Sequence, residues 1–352
     1  MKIGILTYHD INNYGAQLQA ASVQRFLMSK GLDAELVDFR PWRHEIRRNM
    51  TLARAIKKLN FSEFKRHLAT NRRFRASISE MARLSPGSTM FTGQVHKICG
   101  SYDVLVCGSD ELWNFGNYLG YMPPYILDMP TRQGAKKVSY AASIGSFKPD
   151  AAMKERMKAA MSTFHTILVR DPASVKLVEE LGFPSTRVLD PTFLTDLDPI
   201  RPKQTDYLMI SGGLRSQQVK QALEAGRLLG LKPISVGVAY AGHEDIYVPA
   251  TPREWIGFIK HASCHITSLF HGAALSLKYE TPFAIYVTPG KEQKIASLVD
   301  LFGAGNRQIA VDADGRTISQ VASTPLPPEL SRIREELAEA SRNSFVAAVR
   351  NV

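Results

Sequence analysis

Cysteine is scarce in this 352-residue chain: there are three, Cys99, Cys107 and Cys264, with no C-x-x-C spacing. That excludes a disulfide framework or a thiolate metal cluster, and two of the three fall inside apolar, strand-like runs. The thiols are therefore expected to be buried, free and kept in a reducing compartment. No apolar run approaches the roughly 18 residues needed to span a bilayer. The opening MKIGILTYHD has a lysine but no small-residue cleavage site, so it reads as a buried first strand rather than an export signal. Absent too are a P-loop, a G-x-G-x-x-G turn, histidines at metal-ligand spacing and a G-x-S-x-G elbow. The expectation is a cytoplasmic protein with no metal and no cofactor.

Acidic residues are also short, 33 against 44 Lys and Arg, for a formal charge of +11. The excess is local. Residues 40–80 hold twelve Lys and Arg, Lys58 among them, against three glutamates. Leu52, Ile56, Leu59, Phe64 and Leu68 give that stretch an amphipathic helical pattern. A solvated face explains such a run, as does an anionic membrane surface; no recognition motif accompanies it to indicate nucleic acid. The remainder is ordinary globular composition, 44% apolar and 22% charged, and long enough for two domains.

Strand-like and helix-like stretches alternate along the chain. Ile3–Thr7 leads through Asn12-Asn13-Tyr14-Gly15 into a helix with Leu18, Ala21, Val23, Phe26 and Leu27 at helical spacing, and Glu35–Phe39 follows as a strand. Strands recur at Val104–Cys107, Val138–Ala142 and Ile167–Val169, with a short one at Val188-Leu189. The stretch DLDPIRPKQTD, 196–206, has two prolines and no apolar period, and reads as a joint. Beyond it the alternation restarts at Tyr207–Ile210 and ends in one long helix from Pro328 to about Val349. The expected fold class is α/β, with two Rossmann-like doubly wound domains, 1–197 and 198–352, facing a cleft. Ligands in such sheets bind beyond the carboxyl ends of the strands.

Four polar clusters follow strands directly. The first is Asn13-Tyr14-Gly15 with its neighbour Asn12. The second is Ser109-Asp110-Glu111 with Trp113 and Asn114, two adjacent carboxylates beside an indole. The third is Arg170-Asp171-Pro172. The fourth is Thr267-Ser268-Leu269-Phe270-His271-Gly272, which sets hydroxyls and an imidazole where a strand runs out. Histidine is suited to exchanging a proton near neutral pH. Gly212-Gly213 ahead of a helix could cradle an anion, a weak signal by itself.

Taken together, NYGAQLQA (13–20), GSDELWN (108–114), SYAASIG (139–145), VRDPAS (169–174), VLDPTFL (188–194) and TSLFHGAALSL (267–277) resemble the polysaccharide pyruvyl transferase family. The resemblance implies a GT-B-like fold whose C-terminal helix crosses back to the first domain. It also implies transfer of pyruvate from phosphoenolpyruvate onto two hydroxyls of a saccharide, as a ketal. His271 would then be the general acid, and Asp110 would accept the acceptor proton. Arg170, Ser268 and Gly272 would hold the donor. Asn13, Tyr14, Gly15, Ser109, Glu111, Trp113 and Asn114 would line the acceptor side, the aromatic faces stacking on a sugar ring. The family's arginine two positions before the histidine is Leu269 here, and Lys291 and Lys294 are candidate replacement cations. The acceptor is expected to be a saccharide of a surface polysaccharide or its lipid-linked precursor, with residues 40–80 on the inner membrane leaflet. The alternatives are a glycosyltransferase using a nucleotide sugar, or a non-catalytic saccharide-binding protein.

Overall fold

The computed structural model describes residues 1–57, 60–288 and 290–350; Lys58 and Leu59, both part of the basic pattern, lie outside the described residues. The chain divides into two units, Met1–Thr195 with Ala338–Val352, and Asp196–Leu337.

The first unit contains β1 (Lys2–Leu6), α1 (Tyr14–Ser29), β2 (Asp33–Phe39), α2 (Trp42–Lys57), α3 (Phe61–Met81), β3 (Leu84–Thr89), α4 (Val95–Cys99), β4 (Val104–Cys107), β5 (Lys136–Ala142), α5 (Ala151–Met161), β6 (Thr166–Val169), α6 (Pro172–Glu180) and β7 (Thr186–Arg187). Its seven strands lie in the order β3-β2-β1-β4-β5-β6-β7, every pair parallel. Parallel strands are covered on both faces, which explains why β1, β4 and β6 read as unbroken apolar runs. The order reverses direction between β1 and β4, so the loops after these two strands flank the switch point where doubly wound sheets bind ligands.

The second unit contains β8 (Tyr207–Ser211), α7 (Ser216–Leu228), β9 (Lys232–Val236), β10 (Tyr247–Val248), α8 (Pro252–His261), β11 (Cys264–Thr267), α9 (Phe270–Tyr279), β12 (Phe283–Tyr286), α10 (Glu292–Val299), β13 (Gln308–Ile309) and α11 (Gly315–Ser323). Its strand order, β10-β9-β8-β11-β12-β13, reverses between β8 and β11. The final helix, α12 (Leu330–Arg350), begins in the second unit, and its residues from Ala338 onward belong to the first. There Phe345 stacks on Phe26 at 5.9 Å and meets Tyr140 at 4.1 Å, while Ser341 Oγ accepts the Leu189 amide at 2.9 Å.

The helix signals are physical. Asn13 caps α1 by accepting from the Ala16 amide, Asp150 caps α5, and Thr251 with Glu254 forms a capping box on α8. Val188-Leu189, read as a strand, lies just past the real one, Thr186–Arg187. The three cysteines are free and buried, and burial pushes the thiols of Cys99 and Cys264 up to about 12. Among the described residues no helix is long and apolar enough to cross a membrane.

Candidate active site

In the first unit, the loops after β1, β4, β5 and β6 are laced together by the motifs themselves. Gln19 on α1 donates to Thr7 Oγ1 at 2.7 Å and accepts from the Ser109 amide at 3.1 Å, tying the ends of β1 and β4. Gln17 donates to the carbonyls of His9 and Phe74, at 3.1 and 2.9 Å. Asp110 takes a positive φ of 67°, and its carbonyl accepts the Ser143 amide at 3.0 Å. Asn114 donates to Glu111 Oε2 at 3.0 Å. Ser174 Oγ donates to Asp171, its helix cap, and accepts the Ile144 amide.

Arg170 is the hub of this lacing. Its side chain is only 3% exposed; Nη1 lies 2.7 Å from Asp190 Oδ2, and Nη2 lies 3.6 Å from Asp110 Oδ1. Burial disfavours the guanidinium charge, but the carboxylates of Asp190, Asp110 and Asp171 outweigh it and raise the pKa. Asp190 is braced by Thr192, whose amide and hydroxyl donate to Oδ1 at 3.1 and 2.8 Å. Arg170, expected to hold the donor, is enclosed by carboxylates of its own unit, Asp190 and Asp110.

The expectation for Trp113 is corrected. It is completely buried, its Nε1 donates to the Tyr125 carbonyl at 3.2 Å, and its ring meets Phe164 edge-on, so no face remains for a sugar. Gly15 and Ser109 are likewise buried. Tyr14 is half-buried, with its ring 4.8 Å from that of Phe74. Of the expected acceptor residues, Asn13 lines a pocket of about 320 Å³ beside the switch point. The basic segment forms much of its wall: α2 contributes His44, Arg47, Arg48 and Thr51, α3 contributes His67 and Asn71, and Tyr118 follows β4. The sequence pattern did not reveal this role; in hindsight, His44, Arg47, Arg48 and Thr51 recur at helical spacing.

The second unit gathers Ser268, His271, Gly272 and Lys294 beyond β11. Thr267 Oγ1 accepts the Leu269 amide at 3.1 Å and meets Ser211 Oγ at 2.9 Å. Ser211 continues to His265 Nε2 at 2.8 Å, and His265 Nδ1 to Ser276 Oγ at 2.9 Å. His265 is wholly buried, and desolvation lowers its pKa to about 3, so it is neutral. This chain of side chains, apart from Thr267, was not anticipated. It pins the strand end from which α9 starts. Gly272 is required by close approach: a Cβ there would overlap Thr267 Oγ1 and lie 3.0 Å from Thr267 Cβ and Cγ2. Gly212, at φ +100°, likewise gives way to the Ser268 side chain. His271, second residue of α9, is 8% exposed and stands at 88° to the Phe270 ring. Lys294 Nζ lies 4.6 Å over that same ring, whereas Lys291 is exposed at the start of α10. An imidazole, a hydroxyl and a cation thus share the carboxyl edge of this sheet. Among the described residues no group of three or more His, Cys, Asp or Glu could hold a metal ion.

Residues 13–288 match the family described as polysaccharide pyruvyl transferase. No curated protein matches the chain. Among solved structures, it is similar to a putative UDP-N-acetylglucosamine 2-epimerase from Listeria monocytogenes (11% identity, TM-score 0.54, covering 99% of this chain and 95% of that one). It is also similar to the glycotransferase of kitacinnamycin (13%, TM-score 0.50, 99% and 97%) and to the spinosyn rhamnosyltransferase SpnG (10%, TM-score 0.50, 100% of both). At these identities the likeness establishes the fold, which is GT-B-like.

Proposed function

The chain belongs to the polysaccharide pyruvyl transferase family, and from that premise we propose that it transfers pyruvate from phosphoenolpyruvate to two hydroxyls of a saccharide. The observation that carries the reading is the place of His271: directly beyond β11, next to the switch point of its sheet, inside the matched residues.

In this reading His271 donates a proton to the methylene carbon of the enol, making it a methyl group. An acceptor oxygen bonds the adjacent carbon, phosphate leaves with the C–O bond pair, and the second hydroxyl closes the ketal. Of the two hydroxyl protons, one restores the histidine and the other leaves on phosphate. Asp110, held by Arg170, takes the first hydroxyl proton and passes it on to the departing phosphate, which leaves the carboxylate as it began. The donor's anionic groups need preorganised positive charge, and Lys294 with the amides opening α9 can supply it where the family's arginine is Leu269. No separate cofactor enters this scheme; phosphoenolpyruvate is the co-substrate.

We assign the protein to the cytoplasm, at the inner membrane face, with a surface polysaccharide precursor as acceptor. Supporting this, α2 carries an outward apolar stripe, Trp42, Ile46 and Met50, exposed by 45, 47 and 48%, with Arg43, Arg54 and Lys57 on the same helix. Flotation with anionic vesicles tests it: salt-sensitive binding lost on replacing the three stripe residues with serine supports docking, and flotation indifferent to salt or to those changes rejects it. The transfer itself is tested by phosphate release from phosphoenolpyruvate with defined saccharides. His271→Ala should abolish release at an unchanged melting temperature; retained turnover removes the histidine from the chemistry.

A further inference from the structure

We propose that the 320 Å³ pocket of the first unit is an acceptor subsite built for a saccharide that carries a negative charge, with Arg47 reading that charge. The proposal rests on the reading of the protein as a transferase acting on a saccharide, and adds the acceptor's chemical class.

Helix α2 has two faces. Positions 42, 46 and 50 point outward, while 44, 47, 48 and 51 line the pocket. The pocket wall contains two guanidiniums and no carboxylate. They are not equivalent. Arg48 has a side chain 9% exposed and is neutralised by Glu45 at 2.6 Å and Asp10 at 3.3 Å. Arg47 is exposed, has no carboxylate partner among the described residues, and holds its guanidinium 4.4 Å over the Tyr118 ring. Stacking on a ring leaves the edge of the guanidinium fork open for a phosphate or carboxylate.

The rest of the wall suits hydroxyls. Asn12 donates to the side chain of Asn71, which is buried, and Asn13 keeps an amide at the mouth. His44 is 7% exposed and neutral: burial, with Arg48 beside it, lowers its pKa to about 4. A pocket of amides and imidazoles, His44 among them neutral, with one cation that no carboxylate pairs, fits a polar ring bearing one anionic group. Its volume is at the lower end of the range, about 300–1,000 Å³, in which small-molecule sites fall.

The test is a ligand-observed NMR titration of the full chain at low salt. The probes are α-glucose 1-phosphate, glucuronate, methyl α-glucoside and inorganic phosphate. Either charged sugar, or both, should bind about tenfold or more tightly than the neutral glucoside, as one charge-assisted hydrogen bond allows. Comparing the two tells a phosphate reader from a uronate reader. Arg47→Gln should erase the preference, Arg47→Lys should restore part of it, and neither should shift the melting temperature. Equal binding of charged and neutral sugars, a preference surviving Arg47→Gln, or no binding of any probe overturns the proposal. Inorganic phosphate binding as tightly as the sugar phosphate overturns its saccharide half. If the pyruvyl reading alone is wrong, phosphoenolpyruvate is not turned over while the Arg47-dependent preference persists.

Discussion

Replacing Gly272 with alanine tests how the second unit holds its histidine. A methyl group at 272 would overlap Thr267 Oγ1 and stand 3.0 Å from Cβ and Cγ2 of the same residue, so α9 must retreat or Thr267 must rotate. Overpacking of this kind costs about 1–3 kcal/mol. Rotating Thr267 also breaks its bonds to Leu269 and Ser211, about 1 kcal/mol each. The better helix propensity of alanine returns about 1 kcal/mol. The net expectation is destabilisation of about 2–4 kcal/mol, together with a fall in turnover because His271 is the preceding residue. Urea unfolding followed at the fluorine resonance of 5-fluorotryptophan reads this locally, since Trp255 is buried on α8, which packs on α9. Thr267→Ala removes two of the three clashing atoms, so in that background Gly272→Ala should cost at least about 1 kcal/mol less. The reasoning is refuted if Gly272→Ala leaves stability unchanged, or costs the same with and without the Thr267 side chain.

Asp190→Asn should lower the melting temperature sharply, by breaking a buried pair worth about 3–5 kcal/mol when one partner is lost, and calorimetry reads it directly. Trp113→Phe should cost about 1–3 kcal/mol through the gap and the lost bond to Tyr125, with saccharide affinity untouched; a selective loss of affinity would restore the indole to the binding surface. Acid should weaken the fold through two histidines kept neutral mainly by burial, His265 near 3 and His44 near 4 against an ordinary 6.5. Below about pH 6.5 the unfolded chain takes up protons that the native protein refuses, so stability falls with pH across that window. Each histidine contributes about 1.4 kcal/mol of the loss by pH 5.5. Urea titrations between pH 6.5 and 5 should show one proton less of dependence in His265→Gln.

Strand–helix alternation announced both sheets, because buried parallel strands must be apolar and their loops polar. Gly272 was singled out beside His271 as a donor-holding residue, whereas its close approach to the Thr267 side chain is visible only in the fold. The pairing of Arg170 was not legible, because the carboxylate that encloses it, Asp190, is twenty positions away and joins it only through the fold. Trp113 shows the limit of composition, since an indole beside carboxylates looks the same in sequence whether it faces solvent or Phe164. The basic stretch hid two roles in one helix. Only its packing against the loops after β1 and β4 separates the cations facing the pocket from those facing out. The chain from Ser276 through His265 to Ser211 joins residues on three elements, and no local pattern points to it.

The most direct measurement is product analysis in deuterated water with phosphoenolpyruvate and a panel of neutral, phosphorylated and uronate saccharides. A saccharide recovered as its pyruvate ketal, with one solvent deuterium on the ketal methyl group and none formed by His271→Ala, is the predicted result. Unreacted phosphoenolpyruvate alongside turnover of a nucleotide sugar would contradict it.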